Sequence, residues 1–106
     1  MQKEVLEFRN RQFEEIAKEM LELFKKKNYD YDDQYFTGDY SEIERWMSIK
    51  RKTTRLESFY KNGRFKVPDE SLEDTWIDLG IYCIMELIKI KISQGKMKLE
   101  EDKDES

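Results

Sequence analysis

Apolar residues in the first quarter of the chain recur at helical spacing. Val5, Leu6, Phe13, Ile16, Ala17, Met20, Leu23 and Phe24 fall on one side, and no Gly or Pro interrupts the run from Lys3 to Lys27. That pattern predicts a long amphipathic helix. From Asn28 to Tyr40 the period disappears, Asp and Tyr become frequent, and Thr37-Gly38-Asp39 supplies turn chemistry. This stretch is expected to be an aromatic-anchored loop, with room for one short helical turn as a fourth piece.

Helical periodicity resumes after Ser41-Glu42-Ile43-Glu44, a capping box in which the serine hydroxyl accepts from the Glu44 amide and the Glu44 carboxylate reaches back to the Ser41 amide. The apolar side of this second helix is expected to be Trp46, Ile49, Thr53, Leu56, Phe59 and Tyr60, with Asn62-Gly63 as its stop. A third helix is expected to begin at Asp69 or Ser71, both capable caps, and to run to Gln94-Gly95. Neither a strand-like alternation nor an internal repeat occurs. The prediction is an all-α bundle of three long helices in a single domain over 1–95, followed by a charged flexible tail over 96–106.

Composition sharpens the picture. At 106 residues with 42% charged side chains, the chain is long enough to bury roughly 65% of its unfolded surface around one core. Six Tyr, six Phe and two Trp argue for a real core beneath a polar surface. With no histidine and one cysteine, zinc sites, haem ligation, histidine acid/base chemistry and Ser-His or Cys-His nucleophiles are excluded. Cys83, among apolar neighbours, is expected to be a core thiol. The longest apolar stretch, Trp76 to Ile92, is broken by Asp78, Glu86, Lys89 and Lys91, so no membrane span is expected. Without a signal-peptide-like apolar run either, a cytoplasmic location is expected.

Charge is unevenly placed. Arg45 to Lys66 carries eight bases against one acid, Glu57, in a chain of net charge −4. Such a block suits an anionic ligand or an internal charge match. The complementary feature lies on the third helix. At about 100° per residue, Glu70, Asp74 and Asp78 share a sector about 80° wide with Ile81, Met85, Ile88 and Ile92. Carboxylates on a face that is otherwise buried require a cation opposite. Either Mg2+, which prefers oxygen ligands, or the Lys52 and Arg55 side chains can serve, with Arg45 and Lys52 on the inward edge of the second helix. Glu15, Glu19 and Glu22 lie on the polar side of the first helix and read as solvated charges.

Three motifs in order carry a resemblance: Asn28-Tyr-Asp-Tyr31, then Lys52-Thr-Thr-Arg55-Leu56, then Glu70-Ser-Leu-Glu-Asp74-Thr-Trp-Ile-Asp78-Leu-Gly-Ile-Tyr82. Over residues 20–90 the chain resembles the nucleotide-modification-associated domain of phages and bacteria, a relative of the MazG-like all-α nucleoside triphosphate pyrophosphohydrolases. The resemblance implies a helical, often dimeric fold in which carboxylates hold Mg2+ and pyrophosphate is released from a nucleoside triphosphate. Asp74 and Asp78 match the acidic positions, Glu70 and Glu73 the supporting acids, Lys52 and Arg55 the basic pair, and Asp30 and Tyr31 the loop motif. The sequence departs from the pattern in having Asp32 where a glycine usually stands, and in lacking an inward-facing ExxE on an earlier helix.

The expected function is Mg2+-dependent nucleotide binding with pyrophosphohydrolysis. Asp74 and Asp78 would be catalytic, Glu70, Glu73, Asp74 and Asp78 would hold the metal, and Lys52 and Arg55 would take the phosphates. Tyr31, Trp46 or Trp76 would stack on the base. The alternative is a non-catalytic phage accessory or anti-defence module that binds a host protein or a nucleotide. Self-association is expected because three helices leave apolar surface to cover. Nucleic-acid binding is disfavoured, since no DNA-binding motif accompanies the bases and the remaining surface is acidic.

Overall fold

The computed structural model describes residues 2–27, 35–36, 40–66 and 71–97. The described residues are all-α, with three long helices among them: α1 (Lys3–Lys26), α2 (Glu42–Asn62) and α3 (Leu72–Ser93). No strand occurs among the described residues.

The helix boundaries follow from local chemistry. At the start of α2 the capping box forms in full. The Glu44 amide donates to Ser41 Oγ at 3.3 Å and the Ser41 amide donates to the Glu44 carboxylate at 3.0 Å. That backbone bond first, and the Ser41 hydroxyl second, hold the Glu44 carboxyl below its ordinary value. Gly63 closes the helix with a left-handed φ of 77°, its amide donating to the Phe59 carbonyl at 2.7 Å. Of the two caps expected for α3, Ser71 is the one used, and it accepts from the Asp74 amide at 3.2 Å.

The chain divides into two compact units, Met1–Tyr40 and Ser41–Ser106. In the first, α1 forms as its periodicity predicts, yet none of its residues is buried, and Phe13 is 79% exposed. A single helix cannot bury its own apolar stripe, so correct periodicity leaves burial undecided. Only near its C-terminal end are apolar residues half-buried, at Met20, Leu23 and Phe24. There the Phe24 ring meets Phe36 edge-on at 6.3 Å, and Phe36 in turn meets the buried Tyr35.

The second unit is a helical hairpin. Arg45 pairs with Glu86 and Lys52 with Asp78, so seven residues forward on α2 correspond to eight residues back on α3. The helices are therefore antiparallel and meet along near-heptad seams. Ile49, Leu56 and Leu79 form the buried centre, with Phe65, Leu72 and Tyr82 packed around it. The rings of Phe59 and Phe65 lie 4.7 Å apart.

The packing of α2 agrees with the inward placement expected for Arg45 and Lys52 and corrects that of Trp46, Thr53 and Tyr60. The inward line of α2 is Arg45, Ile49, Lys52, Leu56 and Phe59, whereas Trp46, Thr53 and Tyr60 are exposed. Two heptad lines share Ile49 and Leu56. The hairpin uses the line that carries two cations, because each of them meets a carboxylate across the seam. On α3, Ile81 and Met85 are buried as expected, but Ile92 is exposed. Cys83 is also exposed and is not the core thiol that its apolar neighbours suggested. It sits about 160° around the helix from Ile81, on a face turned to solvent.

Candidate functional site

The site is assembled from two consecutive contacts across the hairpin. Lys52 sits on the inward line of α2 between Ile49 and Leu56, which leaves its side chain only 16% exposed. Its ammonium pairs with the Asp78 carboxylate and lies 4.7 Å from the centroid of the Tyr82 ring. Tyr82 is one turn beyond Asp78, so the two side chains approach the same cation from adjacent turns of α3. One heptad back along α2, Arg45 forks onto Glu86, with Nε donating at 2.9 Å and Nη2 at 3.4 Å to separate carboxylate oxygens. Arg45 is among the most buried polar residues, at 8% exposure.

The question left open by the acidic stripe is therefore answered for Asp78. Its counter-charge here is Lys52, while Arg55 lies elsewhere. Together with Lys50, Arg51, Met47 and Thr54, Arg55 lines an open recess of about 280 Å³ on the α2 surface. The expected phosphate pair of Lys52 and Arg55 is thus divided between a half-buried ion pair and an exposed basic face. Asp74 is exposed in the first turn of α3, one turn before Asp78 on the same side. Both Asp74 and the neighbouring Glu73 are favoured there by the helix dipole. Glu73 projects about 100° away from Asp74 and does not converge with Asp78.

Among the described residues, no group of three or more acidic or cysteine side chains is placed to hold a metal ion. Glu70, Tyr31 and Asp30, three residues of the expected site, lie outside the described residues. Both tryptophans proposed for base stacking are about half exposed. Trp76 is oriented by its indole N–H, which donates to the Tyr60 hydroxyl at 3.0 Å.

Two participants were missed in the sequence reading: Glu86, which neutralises Arg45, and Tyr82, whose ring receives Lys52. Their signal was positional. Arg45 and Lys52 are a heptad apart, and Asp78 and Glu86 are nearly the same distance apart on α3, which is the spacing of two rungs on one seam. None of the described helices is long and apolar enough to cross a membrane. Comparison of the chain with known protein families, curated proteins and solved structures gave no match.

Proposed function

We propose that the chain binds a nucleoside triphosphate at the Asp74, Asp78 and Lys52 constellation and releases pyrophosphate from it with Mg2+. One observation carries this reading. Lys52 and Asp78, opposite charges side by side on a half-buried seam, sit one turn from a second, exposed carboxylate, Asp74. A triphosphate presents the complementary pattern, with anionic oxygens for Lys52 and metal-bridged oxygens for the carboxylates.

Mg2+ is usually held by one or two carboxylates together with waters and substrate phosphates, and Asp74 and Asp78 match that number. The metal would supply charge neutralisation at the phosphates and an activated water. Two carboxylates, one of them already neutralised by Lys52, make a poor site for the bare ion. Metal and nucleotide are therefore expected to bind together. Lys52 would exchange its Asp78 partner for a phosphate oxygen.

The test is pyrophosphate release from a panel of nucleoside triphosphates with and without Mg2+. Asp74→Asn and Asp78→Asn should each abolish it, and release that is unchanged in both variants would remove these residues from the mechanism.

A second reading, a non-catalytic module that grips a protein partner, is favoured by α1, whose apolar stripe contains no buried residue. It predicts thermal stability insensitive to Mg2+ and nucleotides. It also predicts a specific complex that is lost in Phe13→Glu.

A further inference from the structure

Of the eight bases between Arg45 and Lys66, three are matched within the second unit: Arg45 by Glu86, Lys52 by Asp78 and Lys61 by Glu57. Arg64 and Lys66 follow the end of α2. The other three, Lys50, Arg51 and Arg55, gather around the open recess of about 280 Å³, which Met47 and Thr54 complete. At about 100° per residue these positions occupy the side of α2 turned away from its seam with α3. Arg51 is held there by its Nη2, which donates to Ser48 Oγ at 3.1 Å. Between Arg45 and Glu57 the helix carries no acid, so counter-charge for this side comes from outside that stretch of α2. One turn before Met47, Ile43 is 63% exposed on the same side. From its first turn onward, the back of α2 therefore runs from apolar to basic.

We infer that this side of α2 binds the acidic segment 99–105 of the same chain, which closes over the recess as a salt-sensitive clasp. Residues 98–106 lie outside the described residues, and three features select them as the occupant. The first is charge. Glu100, Glu101, Asp102, Asp104 and Glu105, with Lys103 as the one base among them, complement Lys50, Arg51 and Arg55. The second is order. In the antiparallel hairpin the end of α3 lies at the start of α2, where Arg45 already meets Glu86. The chain leaving α3 presents Met97 and Leu99 before its acids, just as α2 presents Ile43 and Met47 before its bases.

The third feature is reach. Gly95, at φ 74°, stops α3, and the Lys96 amide donates to the Lys91 carbonyl at 2.8 Å, which turns the chain off the helix axis. From Met97, the extended chain to Glu105 spans up to about 27 Å. The rise along α2 from Glu42 to Arg55 is about 20 Å. Exposed ion pairs are individually weak, too weak to hold a free acidic peptide. A tether supplies an effective concentration in the millimolar range, at which several such pairs together suffice. A long polyanion fits this face less well, because the chain has a net charge of −4 in spite of its basic block and repels anions elsewhere. The contact uses neither Lys52 nor Asp78 and stands or falls independently of nucleotide binding.

The experiment treats the full chain with a water-soluble carbodiimide, which joins a carboxylate to an amine without a spacer, and identifies the joined residues by mass spectrometry of the monomer band. Lys50 is the one amine lining the recess, and it should be joined to acids of 100–105. In a mixture of 15N-labelled and unlabelled protein, both partners of each link should carry the same label. Arg51→Glu with Arg55→Glu, in a chain that keeps its helical circular dichroism, should lower the Lys50 link about tenfold, as should about 0.5 M NaCl. A second measurement leaves α2 untouched. Neutralising the five acids of 100–105 to Gln and Asn should shift the backbone amide resonances of residues 47–55 and leave those of α1 in place. Lys50 without links to 100–105 overturns the inference, and so do links that survive charge reversal and salt unchanged. Links between labelled and unlabelled chains overturn it by placing the segment on a second copy. Amide resonances of 47–55 that ignore the neutralised segment overturn it as well.

Discussion

Glu86→Gln is the substitution that most sharply separates a structural ion pair from a functional one. In the parent chain the Arg45 side chain is 10% exposed and that of Glu86 is 26% exposed, with two hydrogen bonds between them. Glutamine keeps the shape but removes the negative charge, so the Arg45 guanidinium loses the carboxylate onto which it forks in the seam. Removing one member of a fully buried pair costs about 3–5 kcal/mol. Water still reaches a quarter of Glu86, which lowers the expected loss to about 2 kcal/mol on the same scale. Replacing both partners by apolar residues, as in Arg45→Met with Glu86→Leu, removes the charges and their desolvation together. It should cost far less than Glu86→Gln alone, about 0–1 kcal/mol.

The assay is urea unfolding followed by far-ultraviolet circular dichroism. With a slope of about 1–1.5 kcal/mol per molar for a chain of this size, Glu86→Gln should lower the midpoint by about 1.5 M. The double variant should recover most of that. A single-variant loss below about 0.5 kcal/mol, the range of an exposed pair, would refute the placement of Arg45 in the seam. A double variant worse than Glu86→Gln would refute the claim that the pair is held there at a desolvation cost.

Other perturbations test the local chemistry of α2. Gly63→Ala forces a side chain onto a residue with φ 77° and nothing within 4 Å of the added carbon, so the cost is purely conformational, about 1 kcal/mol in the same urea experiment. Ser41→Ala should cost about 1 kcal/mol through the lost cap. The pH dependence should change with it. Because folding lowers the Glu44 carboxyl, its contribution is fully present above the ordinary carboxylate value and is lost as pH falls through the lowered one. Acid titration of helicity should therefore lose only the hydroxyl's smaller share of its slope in Ser41→Ala and the whole Glu44 contribution in Glu44→Gln, and an unchanged profile in Glu44→Gln would contradict the box. Lys61 shows the opposite sign. Its hydrogen bond and charge contact with Glu57 raise it, so that contribution is present below the ordinary lysine value and is lost only as alkaline pH passes the raised one.

Helix positions were legible in the sequence because capping boxes, Asn-Gly and Ser-led starts act over four residues. Which line of each helix would be buried was less legible. On α2 the lines through Trp46 and through Arg45 share Ile49 and Leu56, and hydrophobicity alone favours the tryptophan line. The choice of the other line depends on Glu86 and Asp78, roughly 26–41 residues away in sequence, which no local pattern contains. Cys83 was misplaced for a related reason. α3 is apolar nearly all round, so a thiol among Ile, Leu and Met has no preferred side until its neighbours are known. The Asp74 and Asp78 half of the candidate site was legible because two carboxylates one turn apart on an apolar face are anomalous wherever that face points. The identity of the cation opposite Asp78 followed only from the register of the hairpin.

The most direct measurement of the proposed function is a calorimetric titration of the chain with Mg2+, with a non-hydrolysable nucleoside triphosphate, and with both together. Joint binding much tighter than either ligand alone, abolished by Asp78→Asn and by Lys52→Met in variants that remain helical, is the predicted result. Absence of binding in all three titrations, or binding that both variants retain unchanged, would contradict it.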